Sequence, residues 1–149
     1  MEIRHGTLED IKPRAFVDLA GIELHRAERY RVFVSMTLVD FGFAREHFSG
    51  DFDTVRSTLR QKVRQAIRAC DYVALLEGDN LALLFPETPR QGAEVAARRL
   101  ADLVRNEVAR LTEKDVTDVV PVEIASYPDT AGAKTLAGFL EELANKNRN

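Results

Sequence analysis

The sequence predicts an α/β fold, and three observations predict it. Four stretches carry apolar residues at helical spacing, and at least four others are short apolar or β-branched runs. The two kinds alternate along the chain, which sets the class and leaves the topology open. The length of 149 residues suits one domain, 1–149, large enough to build its own core.

The first helix is expected from Pro13 to Tyr30, where Phe16, Leu19, Ala20, Leu24 and Ala27 recur at core spacing and Pro13 opens the segment. The run Arg31–Phe41 is apolar and β-branched almost throughout and reads as a buried strand ending at Asp40. Thr54–Cys70 follows as a helix, with Val55, Leu59, Val63 and Ile67 on one stripe and Arg56, Arg60, Arg64 and Arg68 on another. Like charges four residues apart repel by a few tenths of a kcal/mol, so the arginine stripe reads as a solvated face.

Tyr72–Leu76 and Leu81–Phe85 flank Glu77-Gly78-Asp79-Asn80 and read as a hairpin of two buried strands. Arg90–Leu111 is an amphipathic helix with Ala93, Ala96, Ala97, Leu100, Val104 and Leu111 inward and Arg98, Arg99 and Arg105 outward. Val116–Tyr127 is a strand region that Pro121 confines to an edge or a bulge, and Leu136–Lys146 is the last helix.

A net charge of −3 argues against a general nucleic-acid binder. Cys70 is the single cysteine, which excludes an internal disulfide framework, fits a reducing compartment, and reads as a buried filler. His5, His25 and His47 are too scattered for a metal motif. The absence of an 18-residue apolar run or a signal-peptide pattern predicts no membrane insertion and a cytoplasmic protein.

Read by themselves, Asp40 is a strand-ending residue, the hairpin tip a polar turn, and Arg68 and Asp71 an i, i+3 ion pair at a helix end. The segment Arg68–Glu87, however, resembles the GGDEF (diguanylate cyclase) family. That family shows R-x-x-D, five residues, the signature G-G-D/E-E-F, and a strand ending in Pro. Here Arg68-x-x-Asp71 precedes Glu77-Gly78-Asp79-Asn80-Leu81 in the same register, and Leu83-Leu84-Phe85-Pro86 continues it. Weaker matches keep the family's order: Leu8, Arg14 and Phe16 at its entry motif, Val122–Pro128 for S-I-G-V-A-S-Y-P, and Lys146–Asn149 at its close. The resemblance covers about residues 8–149.

The resemblance implies a cyclase-like α/β fold, a central and mostly antiparallel sheet surrounded by helices. It implies metal ligation by Asp40 and Asp79, assisted by the Phe41 carbonyl, with Mg²⁺ needed only if GTP binds. Gly42 replaces the second Asp of the metal motif. Asn80 replaces a Glu needed for activity and cannot supply its charge. Glu77 replaces a Gly beside which phosphates approach, while Gly78 is kept. The loop 43–53 lacks the guanine-binding Asn and is about four residues short. Its Asp has a counterpart in Asp53, or alternatively Asp51.

No catalytic residue is therefore expected, and Glu77, Gly78, Asp79 and Asn80 are vestigial. Arg68, Asp71 and Arg99 match the family's product-binding site. There a guanidinium meets phosphate and the guanine O6/N7 edge, and a carboxylate accepts from guanine N1 and N2. The expected function is a catalytically degenerate receptor for cyclic di-GMP in bacterial signalling, with no cofactor required. One alternative is an interaction module that docks a protein partner or a homodimer. The other is a weak cyclase or GTP binder using Asp40 and Asp79 with Mg²⁺.

Overall fold

A computed structural model describes residues 11–128 and 135–146. Leu8 and Lys146-Asn147-Arg148-Asn149, apart from Lys146, lie outside the described residues, as does His5. The described chain runs α1 (Pro13–Tyr30), β1 (Val34–Asp40), a 3₁₀ turn (Gly42–His47), α2 (Phe52–Ala66), β2 (Tyr72–Leu76), β3 (Asn80–Pro86), α3 (Arg90–Thr112), β4 (Val122–Tyr127) and α4 (Leu136–Lys146).

The four strands form one sheet in the order β2-β3-β1-β4, antiparallel at every junction. Alternation along the strands divides the core in two. On one face Val39, Leu81, Leu83 and Phe85 meet α2 (Val55, Leu59, Val63) and α3 (Ala93, Leu100, Val104). On the other, Val34, Met36, Ala82 and Leu84 meet α1 (Phe16, Ala20, Ala27) and α4 (Leu136, Phe139, Leu143). The expected central, mostly antiparallel sheet surrounded by helices is the fold observed.

Several boundaries move, each for a local reason. The strand expected from Arg31 begins at Val34, because Arg31 takes the left-handed conformation (φ 58°) that closes α1. The Asp51 side chain accepts from the Asp53 amide at 3.0 Å, so α2 starts at Phe52 rather than Thr54. It stops at Ala66 rather than Cys70, since the Asp71 carboxylate takes the Arg68 amide at 2.9 Å and turns the chain away. Only Val122–Tyr127 of the expected 116–127 strand is paired. It lies on the sheet edge directly after Pro121, whose carbonyl accepts from the Asp40 amide at 3.0 Å.

The arginine stripe of α2 is not a solvated face. Arg64 is buried and donates to the Asp71 carbonyl at 3.0 Å, while Arg56 is drawn to Asp79. Leu111, expected inward on α3, is exposed, and Glu107 and Val108 are buried in its turn of the helix. Cys70 is exposed rather than a core filler, because the turn that closes Arg68 onto Asp71 leaves it at the surface. Among the described residues no helix is long and apolar enough to cross a membrane.

Candidate functional site

The predicted site residues fall into two groups on the α2–α3 side of the sheet. One group sits at the β2–β3 hairpin tip, where Asp40 pairs with Asn80 in the β1–β3 register. Gly78 and Asp79 take left-handed conformations (φ 77° and 58°), which glycine accepts freely and aspartate better than most residues. The Asp79 carbonyl accepts from the Phe41 amide at 2.9 Å, which ties the tip to the end of β1.

The Asp79 carboxylate is nearly buried, and both of its oxygens are engaged by a residue that sequence reasoning missed. Arg45 in the 3₁₀ turn donates Nε to Oδ2 at 2.5 Å and Nη2 to Oδ1 at 3.2 Å. Its guanidinium lies 4.5 Å from the centre of the Phe52 ring, and the bond to Asp79 raises its pKa above the ordinary arginine value. Arg56 Nε stands 3.3 Å from Asp79 Oδ1, close enough for an ion pair though not aligned as a hydrogen bond. Arg56 Nη1 reaches Asp53 at 3.3 Å.

These donors do not suit the divalent cation that the resemblance implies. Asp40 Oδ1 accepts from the Gly42 amide at 2.8 Å, and Asn80 Nδ2 donates to the Gly78 carbonyl at 3.1 Å. Among the described residues there is no group of three or more His, Cys, Asp or Glu side chains that could hold a metal. A hard cation seeks several free oxygens, and the central carboxylate here already faces two guanidinium groups. Asp53, the candidate for base recognition, is largely exposed on α2 and outside the groove described next; Asp51 is the helix cap.

The second group lines a groove of about 760 Å³ between α2 and α3, which brings Arg68, Asp71 and Arg99 together. Asp71 is buried, with its side chain 3% exposed. Arg68 Nε and Nη2 donate to its two oxygens at 3.3 and 3.0 Å, the i, i+3 pair that the spacing allowed. Arg68 Nη2 also meets the Pro86 carbonyl at 3.2 Å and the Thr88 hydroxyl at 2.7 Å. The bond to Asp71 pushes the Arg68 pKa above its ordinary value. Nη1 has no partner among the described residues, and neither has the exposed Arg99 guanidinium.

Further along the groove Glu107 is buried against Arg110, which donates Nη2 to Oε2 at 2.5 Å. That bond holds the Glu107 carboxyl below the usual carboxylate range. Asp102 is paired with Arg105. Every acid of the groove is thus matched by an arginine, which leaves Arg99 and Lys62 as cations without a hydrogen-bonded carboxylate among the described residues. Ile67, Phe85, Leu100 and Leu103 supply apolar lining between them. Apolar walls with a few directed cations suit a flat heterocycle carrying phosphate. Lys62, Glu107 and Arg110 were missed in the sequence; their only signal is a helical phase that turns them toward α2 and α3.

No family model and no curated protein matches this chain. Solved structures do. The GGDEF domain of TpbB (YfiN) from Pseudomonas aeruginosa is 23% identical, with 89% of this chain and 81% of that one covered and a TM-score of 0.59. The GGDEF domain of DgcB from Caulobacter crescentus, solved in complex with cyclic di-GMP, is 18% identical over 93% and 79% of the two chains, with a TM-score of 0.61. The diguanylate cyclase SiaD from Pseudomonas aeruginosa, solved with its activator SiaC, is 16% identical with a TM-score of 0.64. There the likeness covers 91% of this chain and 52% of that one. At such identities the likeness speaks for architecture alone: the chain is folded as a GGDEF domain of the diguanylate cyclase type.

Proposed function

We propose that this chain is a non-catalytic GGDEF-fold module of bacterial cytoplasmic signalling that binds cyclic di-GMP in the α2–α3 groove and needs no cofactor to do so. The observation that carries the reading is the convergence of Arg68, Asp71 and Arg99 on one groove, where Arg99 holds no carboxylate among the described residues. Arg68 is held by Asp71, Pro86 and Thr88, so its remaining Nη1 edge is presented in a fixed direction. One held guanidinium (Arg68) and one exposed guanidinium (Arg99) beside an apolar wall match a ligand with phosphates and purine rings. Arg99 would take phosphate, Arg68 phosphate or the guanine O6/N7 edge. The Asp71 carboxylate, already engaged, would serve mainly to position Arg68.

The non-catalytic part of the proposal draws support from the hairpin end, where Asn80 carries no charge and Asp79 is matched by arginines. Phosphoryl transfer from a nucleoside triphosphate depends on a metal at the phosphates. The test is a calorimetric titration with cyclic di-GMP in metal-free buffer, run beside GTP with Mg²⁺. Cyclic di-GMP binding that disappears in Arg68→Ala and persists in Asp79→Ala supports the receptor. GTP binding would favour the cyclase reading, and no binding of either would favour a protein-docking module.

A further inference from the structure

We infer that Arg45 and Arg56 form a built-in counter-ion for Asp79, taking over the charge balance that a divalent cation would otherwise supply and closing this end of the sheet to such ions. The inference rests on the hairpin end alone and stands whether or not the groove binds cyclic di-GMP.

Asp79 cannot turn away from the arginines. Its backbone is fixed by the hairpin turn and by the 2.9 Å bond from the Phe41 amide, and its side chain is 9% exposed. Arg45 approaches in the side-on, two-bond geometry that gives the strongest guanidinium–carboxylate contacts, and the Phe52 ring supports it from behind. Arg56 adds a second positive charge 3.3 Å from Oδ1 and is itself held by Asp53. A divalent cation at this carboxylate would meet two guanidiniums at a few ångströms, where like charges repel strongly.

While the arginines are in place, the neighbouring groups do not offset that repulsion. Asp40 already accepts from Gly42, and the Asn80 amide is turned to the Gly78 carbonyl. Arg45 and Arg56 therefore act as specificity determinants. They bar ligands that arrive at the hairpin end with a metal, such as a metal–triphosphate.

Thermal unfolding of the whole chain, with and without millimolar Mn²⁺, tests this. The wild type is expected to be indifferent to Mn²⁺. The R45A/R56A variant is expected to gain a Mn²⁺-dependent rise in Tm of about 2–4 °C, lost again when Asp79→Asn is added. Should the double variant fail to fold, Arg45→Ala alone, at an exposed side chain, is expected to show the same gain to a smaller extent. Stabilisation of the wild type by Mn²⁺ that Asp79→Asn removes would overturn the inference. So would a folded arginine-deleted variant as indifferent to Mn²⁺ as the wild type.

Discussion

The Thr88 hydroxyl accepts from Arg68 Nη2 at 2.7 Å and donates to the Pro86 carbonyl at 3.0 Å. The turn after β3 thereby fixes a guanidinium that belongs to the turn after α2, twenty residues earlier in the chain. The Thr88 carbonyl in turn accepts from the buried Ser35 hydroxyl at 2.8 Å, anchoring the turn to β1. The orientation of Arg68 is therefore a property of the sheet rather than of the R-x-x-D motif alone.

Thr88→Val keeps the shape of the side chain and removes its hydroxyl. Cyclic di-GMP binding is expected to weaken a few-fold, against complete loss in Arg68→Ala, because one of three supports of Arg68 is gone. Calorimetric titration of the two variants compares them directly.

Arg99→Ala removes a cation that holds no carboxylate among the described residues. It is expected to weaken cyclic di-GMP binding about tenfold, roughly one charge-assisted contact, while leaving Tm within about a degree of wild type. A mutation that changed stability and affinity together would point to a structural role instead.

Asp71→Ala leaves the Arg68 amide without its acceptor and Arg68 without its carboxylate at the end of α2. A loss of about 1 kcal/mol is expected in urea unfolding, the cost of removing the hydrogen bonds that close the turn at the part-buried Arg68 amide. Affinity for cyclic di-GMP is expected to fall as well, through the displaced arginine.

Glu107 gives a pH signature. Its carboxyl is held below the usual range, chiefly by the hydrogen bond from Arg110, so it binds protons less readily in the folded chain than in the unfolded one. The stability it contributes is present above the unfolded pKa and is lost as pH falls through the lowered folded value. Glu107→Gln is expected to melt below wild type at neutral pH, with the two curves converging in acid. Tm measured across that range checks the sign.

Much of the fold was legible because local and tertiary demands agree. The apolar runs of β1, β2 and β3 are buried on both faces, so their composition alone marks them. Arg68 and Arg99 were brought together by the family resemblance, through the R-x-x-D register and the spacing of Arg99 from Pro86, whereas helical phase alone put Arg99 outward; both line the groove. The ion pairs of Asp79 were not legible. Arg45 lies in a short 3₁₀ turn with no periodic pattern and reaches Asp79 across 34 residues. Arg56 was visible as one of a stripe, yet its partner lies on the hairpin, and only the packing of α2 against the sheet brings the two together. Cys70 was misplaced because its residue type alone suggested a buried filler, and the turn that the Asp71 carboxylate makes at the end of α2 leaves it exposed.

The most direct measurement is the metal-free calorimetric titration of wild type and Arg68→Ala with cyclic di-GMP. The account predicts saturable, micromolar binding by the wild type and none by the variant. Equal binding by both, or none by the wild type, would contradict it.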